Sequence, residues 1–351
     1  MIGKVFEMVL LVTSVAVINC SARPLQVVTT LPDYADIARQ IGGDRVKVKA
    51  IVRGEQDAHY IRPKPSFVAL VRKADVLIDT GLDLEMWLPT VIDKSGNRKV
   101  RSGQAGYVSA SRGVHLLNKP QTVSRINGGV HIYGNPHITC SPLNMRIVAR
   151  NIAAGLIRND PAGKAYYTER SDAYIRKLDE HLFGKELVEM LGGNTLAGLA
   201  EQGKLMAFLQ EKKFKGKQLL TYLGGWMKQM EPLRGKPIVT YHDAWVYFMR
   251  LFGVEAAGTV EPKPGIPPSP RHVLELSSMM RERNIRILLA ANYFDEQKIK
   301  SVASRVQAKA VIVPIYVGGA DGVDSYIDLV DSWVNGLVGA EQELHPGSIN
   351  R

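Results

Sequence analysis

Lys236-Pro237-Ile238-Val239-Thr240-Tyr241-His242 is an apolar run that ends on a histidine, and its reading decides the fold. Ile, Val, Thr and Tyr suit a pleated, half-buried strand. Three further runs of this kind follow, at residues 256–260, 285–290 and 310–315, with helical stretches between them. The first half of the chain is written in the same way. Residues 26–30, the alternating 46–52 and the glycine-closed 75–81 read as strands. A helix through Ala35-Asp36-Ile37-Ala38 and another begun by Ser66 as its N-cap separate them. Strand–helix alternation in both halves predicts an α/β fold with two mainly parallel sheets flanked by helices.

Between the halves, Leu143, Met145, Ile147, Val148, Ile152 and Leu156 recur at helical spacing until Asp160-Pro161 interrupts them. A second helix is expected over 162–191, with Tyr166, Tyr174, Ile175, Leu178 and Leu182 on its apolar side. Residues 102–136 are glycine-rich with little periodicity and read as a long surface loop with short strands. The expected division is a signal peptide at 1–22, an N-terminal lobe at 23–161, the helix at 162–191, a C-terminal lobe at 192–340 and a flexible polar tail at 341–351.

A chain of 351 residues, 45% of them hydrophobic, can bury two cores. The net charge of +11 is dispersed among acidic residues without a run of like charges. No nucleic-acid motif accompanies it, so no nucleic-acid partner is expected. Lys4, the apolar stretch from Met8 to Ile18 and the small residues Ser21-Ala22 make an export signal, which places the mature chain in the periplasm. Val17-Ile18-Asn19-Cys20 loosely resembles a lipoprotein box, so a lipid anchor at Cys20 is the variant of that reading. The only other cysteine, Cys140, has no disulfide partner once the signal leaves, and reads as a small buried residue.

Three of the eight histidines stand in stiff local settings: His59 in Asp57-Ala58-His59, His137 in Gly134-Asn135-Pro136-His137, and His242 directly after its strand. Pro136 fixes its own φ and restricts Asn135, which stiffens the approach to His137. His59 and His242 follow strands, on the edge where open α/β sheets bind ligands. Neutral imidazole is the commonest ligand for zinc-like ions. His115, His181, His272 and His345 lie in ordinary contexts. His131, six residues before His137, is read as a non-ligand, with a lid position as its other reading.

The motifs Asp57-Ala58-His59 with Pro65-Ser66, Leu82-Asp83-Leu84-Glu85-Met86-Trp87-Leu88, Gly134-Asn135-Pro136-His137 and Tyr241-His242-Asp243-Ala244-Trp245, in this order, resemble the metal-binding solute-binding proteins of ABC transporters, the zinc/manganese cluster. Tyr247-Phe248, Phe252-Gly253 and the proline-rich stretch from Glu261 to Ser269 extend the match. The resemblance implies two lobes bridged by one long helix and a metal between them. His59 and His137 would come from the first lobe and His242 from the second. It further implies a monomer that is not an enzyme, captures a metal ion outside the cytoplasm and delivers it to an ABC-type permease, with modest lobe movement. Two departures matter. Ile138-Thr139-Cys140-Ser141-Pro142 replaces the Trp-Leu-Asp-Pro of many relatives. Residues 314–321 offer no carboxylate at the strand end where many relatives supply a fourth ligand, which leaves a water, Glu261 or Asp321 to fill that place.

Three imidazoles favour zinc over manganese, which prefers oxygen, although other divalent transition metals would bind too. The interval between the first two motifs holds only His115 and His131, without the His/Asp-rich loop frequent in zinc-type relatives. The rival reading is a zinc hydrolase with Glu261 or Asp243 as general base, but no compact H-E-x-x-H motif supports it. A metallochaperone or an adhesin on the same scaffold would keep the same ligands.

Overall fold

The computed structural model describes residues 23–120, 131–262 and 265–346; the expected signal and Cys20 lie outside them. In chain order the first part holds strands β1 (Leu25–Thr29), β2 (Val46–Ala50), β3 (Val76–Asp79) and β4 (Tyr107–Ser109). Its helices are α1 (Pro32–Gly42), α2 (Pro65–Arg72), α3 (Leu88–Ser95) and α4 (Pro142–Asn159). Helices α5 (Lys164–Phe183), α6 (Lys185–Leu191), α7 (Gly193–Glu201) and α8 (Leu205–Glu211) follow, then a small hairpin of β5 (Lys213–Phe214) and β6 (Lys217–Gln218), and helix α9 (Gly225–Gln229). The second part holds β7 (Pro237–Thr240), β8 (Glu255–Thr259), β9 (Ile287–Ala291) and β10 (Lys309–Val313). These alternate with α10 (Val246–Phe252), α11 (Pro270–Glu282), α12 (Glu296–Arg305) and α13 (Tyr326–Leu344).

Both four-stranded sheets are parallel, in the orders β2-β1-β3-β4 and β10-β9-β7-β8. Numbered within its own lobe, each sheet has the order 2-1-3-4, the doubly wound pattern that opens a crevice at the carboxyl ends of the strands. The inner strands β3 and β9 are buried at every residue, as a sheet covered on both faces requires. Edge strand β2 alternates Val46, Val48 and Ala50 with exposed Lys47 and Lys49. Among the described residues no helix is long and apolar enough to cross a membrane.

The long helix α5 links the lobes, packing on α1 and α4 on one side and on α9 on the other. It buries Tyr167, Ser171, Tyr174, Ile175, Leu178 and Leu182 on one face. Four details of the sequence reading are corrected. The helix expected over 162–191 breaks at Gly184, whose φ of 88° suits glycine and whose Cα hydrogens face the Gly224 backbone; an added Cβ would lie 2.7 Å from Gly224 Cα. Tyr167 is the fully buried tyrosine of the pair; Tyr166 packs on the core only in part and donates its hydroxyl to Asp44 Oδ1 at 3.0 Å. The tail begins later than residue 341, because α13 continues to Leu344 and the buried Glu341 pairs with Lys236. Pro65 rather than Ser66 starts α2, with Lys64 at its N-cap.

Hydrogen bonds also stitch one lobe to the other. Val317 N donates to Asp33 Oδ1 at 2.8 Å and Tyr326 N to Asp36 Oδ2 at 2.9 Å. Tyr326 Oη donates to the Thr139 carbonyl at 2.6 Å. Burial pushes the Asp33 carboxyl up to about 8, against the Val317 bond and aided by the nearby Asp36 charge. A carboxyl whose pKa rises on folding favours the native state most below its unfolded value near 3.8, and that contribution is lost as pH climbs toward 8. Asp33→Asn keeps an acceptor for Val317 and removes the titration. Urea denaturation at pH 5 to 8 is expected to show the variant gaining on the native chain by about 1.4 kcal/mol per pH unit. Parallel stability curves would reject a neutral Asp33.

Candidate metal centre

His59, His137 and His242 stand in loops that leave the carboxyl ends of β2, β4 and β7. Asp57 caps the short turn at residues 58–60, accepting both the His59 backbone N at 2.9 Å and His59 Nδ1 at 2.7 Å. The Ala58 carbonyl is held from behind by Trp87 Nε1 at 2.8 Å. At the second motif, Gly134 has a φ of 115° and Asn135 Oδ1 accepts the His137 backbone N at 3.0 Å. Asn135 Nδ2 donates to the Asp243 carbonyl at 2.5 Å, and Tyr247 Oη donates to the Asn135 carbonyl at 2.6 Å. The turn that presents His137 is therefore bolted to the turn that presents His242. Behind that turn Trp245 packs edge-on to Trp333 at 5.2 Å.

The three sequence-selected rings come together. One ligand atom from each lies within 4.8 Å of the others. The ring centroids are 5.1 Å apart for His59 and His137, 5.2 Å for His137 and His242, and 5.6 Å for His59 and His242. His137 Nε2 and His242 Nε2 are 3.2 Å apart. His242 Nδ1 donates to Glu261 Oε2 at 2.7 Å, as His59 Nδ1 does to Asp57. A carboxylate on Nδ1 fixes the tautomer that leaves Nε2 unprotonated and directs its lone pair. Burial, followed by the like charges of His59, His242 and His131, pushes the His137 pKa well below its ordinary value, so this ring stays neutral and keeps a lone pair for a cation.

A cavity of about 520 Å³ opens beside the rings, lined by His131, His137, His242, Asn118, Asp243 and Glu261 among others. The carboxylates weighed for the fourth place are now placed. Glu261 backs His242, whereas Asp321 is exposed and does not line this cavity; Ile315 and Tyr316, at the strand end, are buried apolar residues. Asp243 Oδ2 accepts from Asn118 Nδ2 at 3.0 Å. Both bases of the hydrolase reading are therefore engaged in positioning. Cys140 is a free, buried thiol whose pKa burial pushes up.

Sequence reading set Glu261 at the site without its partner and overlooked the part played by Asp57. Asp57 could have been found, since it lies two residues before His59 in a capping position. Glu261 could not be paired from spacing alone. Burial raises the Asp57 carboxyl, and the contacts with His59 more than offset it, leaving it below the usual range. His131 also lies nearer than its reading implied, its ring 5.3 Å from that of His59.

The family model described as the periplasmic zinc-uptake complex component A matches residues 27–182 and 210–340. The high-affinity zinc uptake system protein ZnuA of Bacillus subtilis is 22% identical over 82% of this chain and 77% of its own length. The manganese ABC transporter substrate-binding lipoprotein PsaA of Streptococcus pneumoniae is 26% identical over 88% of this chain and 86% of its own. The solved structure of FpvC of Pseudomonas aeruginosa, in complex with Mn2+, superposes with a TM-score of 0.65 at 20% identity, covering 92% of this chain and 100% of that one.

Proposed function

Because the chain belongs to the family of periplasmic zinc-uptake component A proteins, solute-binding components rather than enzymes, we propose that it captures zinc outside the cytoplasm and hands it to an ABC permease. His59, His137 and His242 are the ligands in this reading. The observation that carries it is the convergence of three imidazoles from distant parts of the chain at the facing edges of two parallel sheets. The relatives divide between zinc and manganese in their names, so the donor set has to decide. Imidazole nitrogens suit zinc, and manganese prefers more oxygen. Calorimetric titration of the metal-free chain is expected to give one zinc per chain, bound more tightly than manganese. Manganese binding more tightly than zinc would reverse the assignment.

The carboxylates behind the rings tune the same site. Glu261→Gln removes the charge that orients His242 while keeping its shape. Outer partners of this kind are worth about 10–100-fold in metal affinity. A loss in that range is expected, read by competition with a chromophoric chelator. An unchanged constant would mean that Glu261 only fills space.

A further inference from the structure

We propose that His131 is a fourth imidazole ligand, which makes this a four-histidine zinc site; the inference rests on the three-histidine reading above. His131 Nε2 lies 3.3 Å from His59 Nε2, and the separation of the other pair, His137 and His242, is 3.2 Å. Four nitrogens about 2.0–2.1 Å from a tetrahedral zinc sit roughly 3.3 Å from each other. The two distances match two opposite edges of such a tetrahedron; His131 lies outside the three-ring group whose ligand atoms are all within 4.8 Å of one another, so a bound ion would draw its ring inward. His131 is also mounted as the other rings are. Its Nδ1 donates to Asp83 Oδ1 at 2.9 Å, and Asp83 Oδ2 is fixed by the Ile132 backbone N at 3.0 Å. His59 and His131 both direct Nδ1–H at a carboxylate, so in their neutral forms the two Nε2 lone pairs face each other. A cation between them turns that repulsion into attraction. The ring is 6.2 Å from that of His137, farther out than the other three, and it lines the same cavity. It therefore stands at the edge of the cluster, while the late strand end at Ile315 and Tyr316 is apolar and Asp321 is exposed.

X-ray absorption at the zinc edge, on the full chain holding one equivalent of zinc, counts imidazoles without any mutation. Four are expected, falling to three plus an oxygen in His131→Ala. Zinc affinity of that variant is expected to fall by at least about tenfold, since even an outer partner is worth that much. A native spectrum with three imidazoles overturns the inference, as does unchanged affinity in His131→Ala. His242→Ala separates the two readings. If it loses zinc while His131→Ala keeps it, only the fourth ligand is rejected; if neither variant changes binding, the three-histidine reading fails with it.

Discussion

His137→Ala is expected to weaken zinc binding by more than about a hundredfold, the upper end of what outer partners alone contribute. His137 is the most buried of the three rings, 2% exposed, and it lies between His59 and His242 with centroids 5.1 and 5.2 Å away. Its depressed pKa means that protons do not compete for this ring's lone pair near neutral pH. Removing the ring strips an inner donor and leaves a cavity that water fills at one position only. His59→Ala and His242→Ala are expected to act in the same direction, with Asp57 keeping only its backbone bond and Glu261 losing its imidazole partner. Titration calorimetry checks all three. Affinities within threefold of native in every variant would remove these residues from the ligand set.

The second large effect is on stability. Trp333 on α13 is fully buried and donates Nε1 to the Pro314 carbonyl at 2.6 Å. Trp245, Phe248 and Tyr326 meet its ring edge-on at 5.2, 5.8 and 6.3 Å. Trp333→Ala removes those contacts, opens a cavity and orphans a carbonyl. Substitutions of this kind cost about 3–5 kcal/mol. A urea midpoint shift at constant slope is the expected signature. Since Trp245 follows the His242 turn, zinc affinity should fall as well. A loss below about 1 kcal/mol would show that the core collapses around the gap instead.

Strands such as β3 were legible as short β-branched runs closed by turn residues, Val76-Leu77-Ile78 before Thr80-Gly81, whereas the three-residue β4 and the β5–β6 hairpin carried too little pattern to place. The histidines that meet were legible from their immediate neighbours. What escaped reading depends on phase or on distance along the chain. One residue of helical phase, about 100°, separates Tyr166 from Tyr167, and apolar periodicity fits either. Gly184 was a visible break signal inside an otherwise continuous pattern, but only the approach of Gly224 makes the break obligatory. The partnership of His131 with Asp83 spans 48 residues, and that of Asp33 with Val317 spans 284; no local pattern encodes either.

The bonds across the two halves have a bearing on how an ion comes and goes. They fasten the seam on both flanks of the histidines: Asp33 to Val317 and Asp36 to Tyr326 on one, Asn135 and Asn118 to Asp243 on the other. Each such bond is worth about 0.5–1.5 kcal/mol net, and opening the seam parts them together. A wholesale yawning of the clamshell is thus the costly route. The cheaper doorway is local, through the segments carrying His59 and His131, whose side chains keep 10% and 12% of their surface open to solvent. Exchange past those two rings would spare the bonds that rivet the halves together.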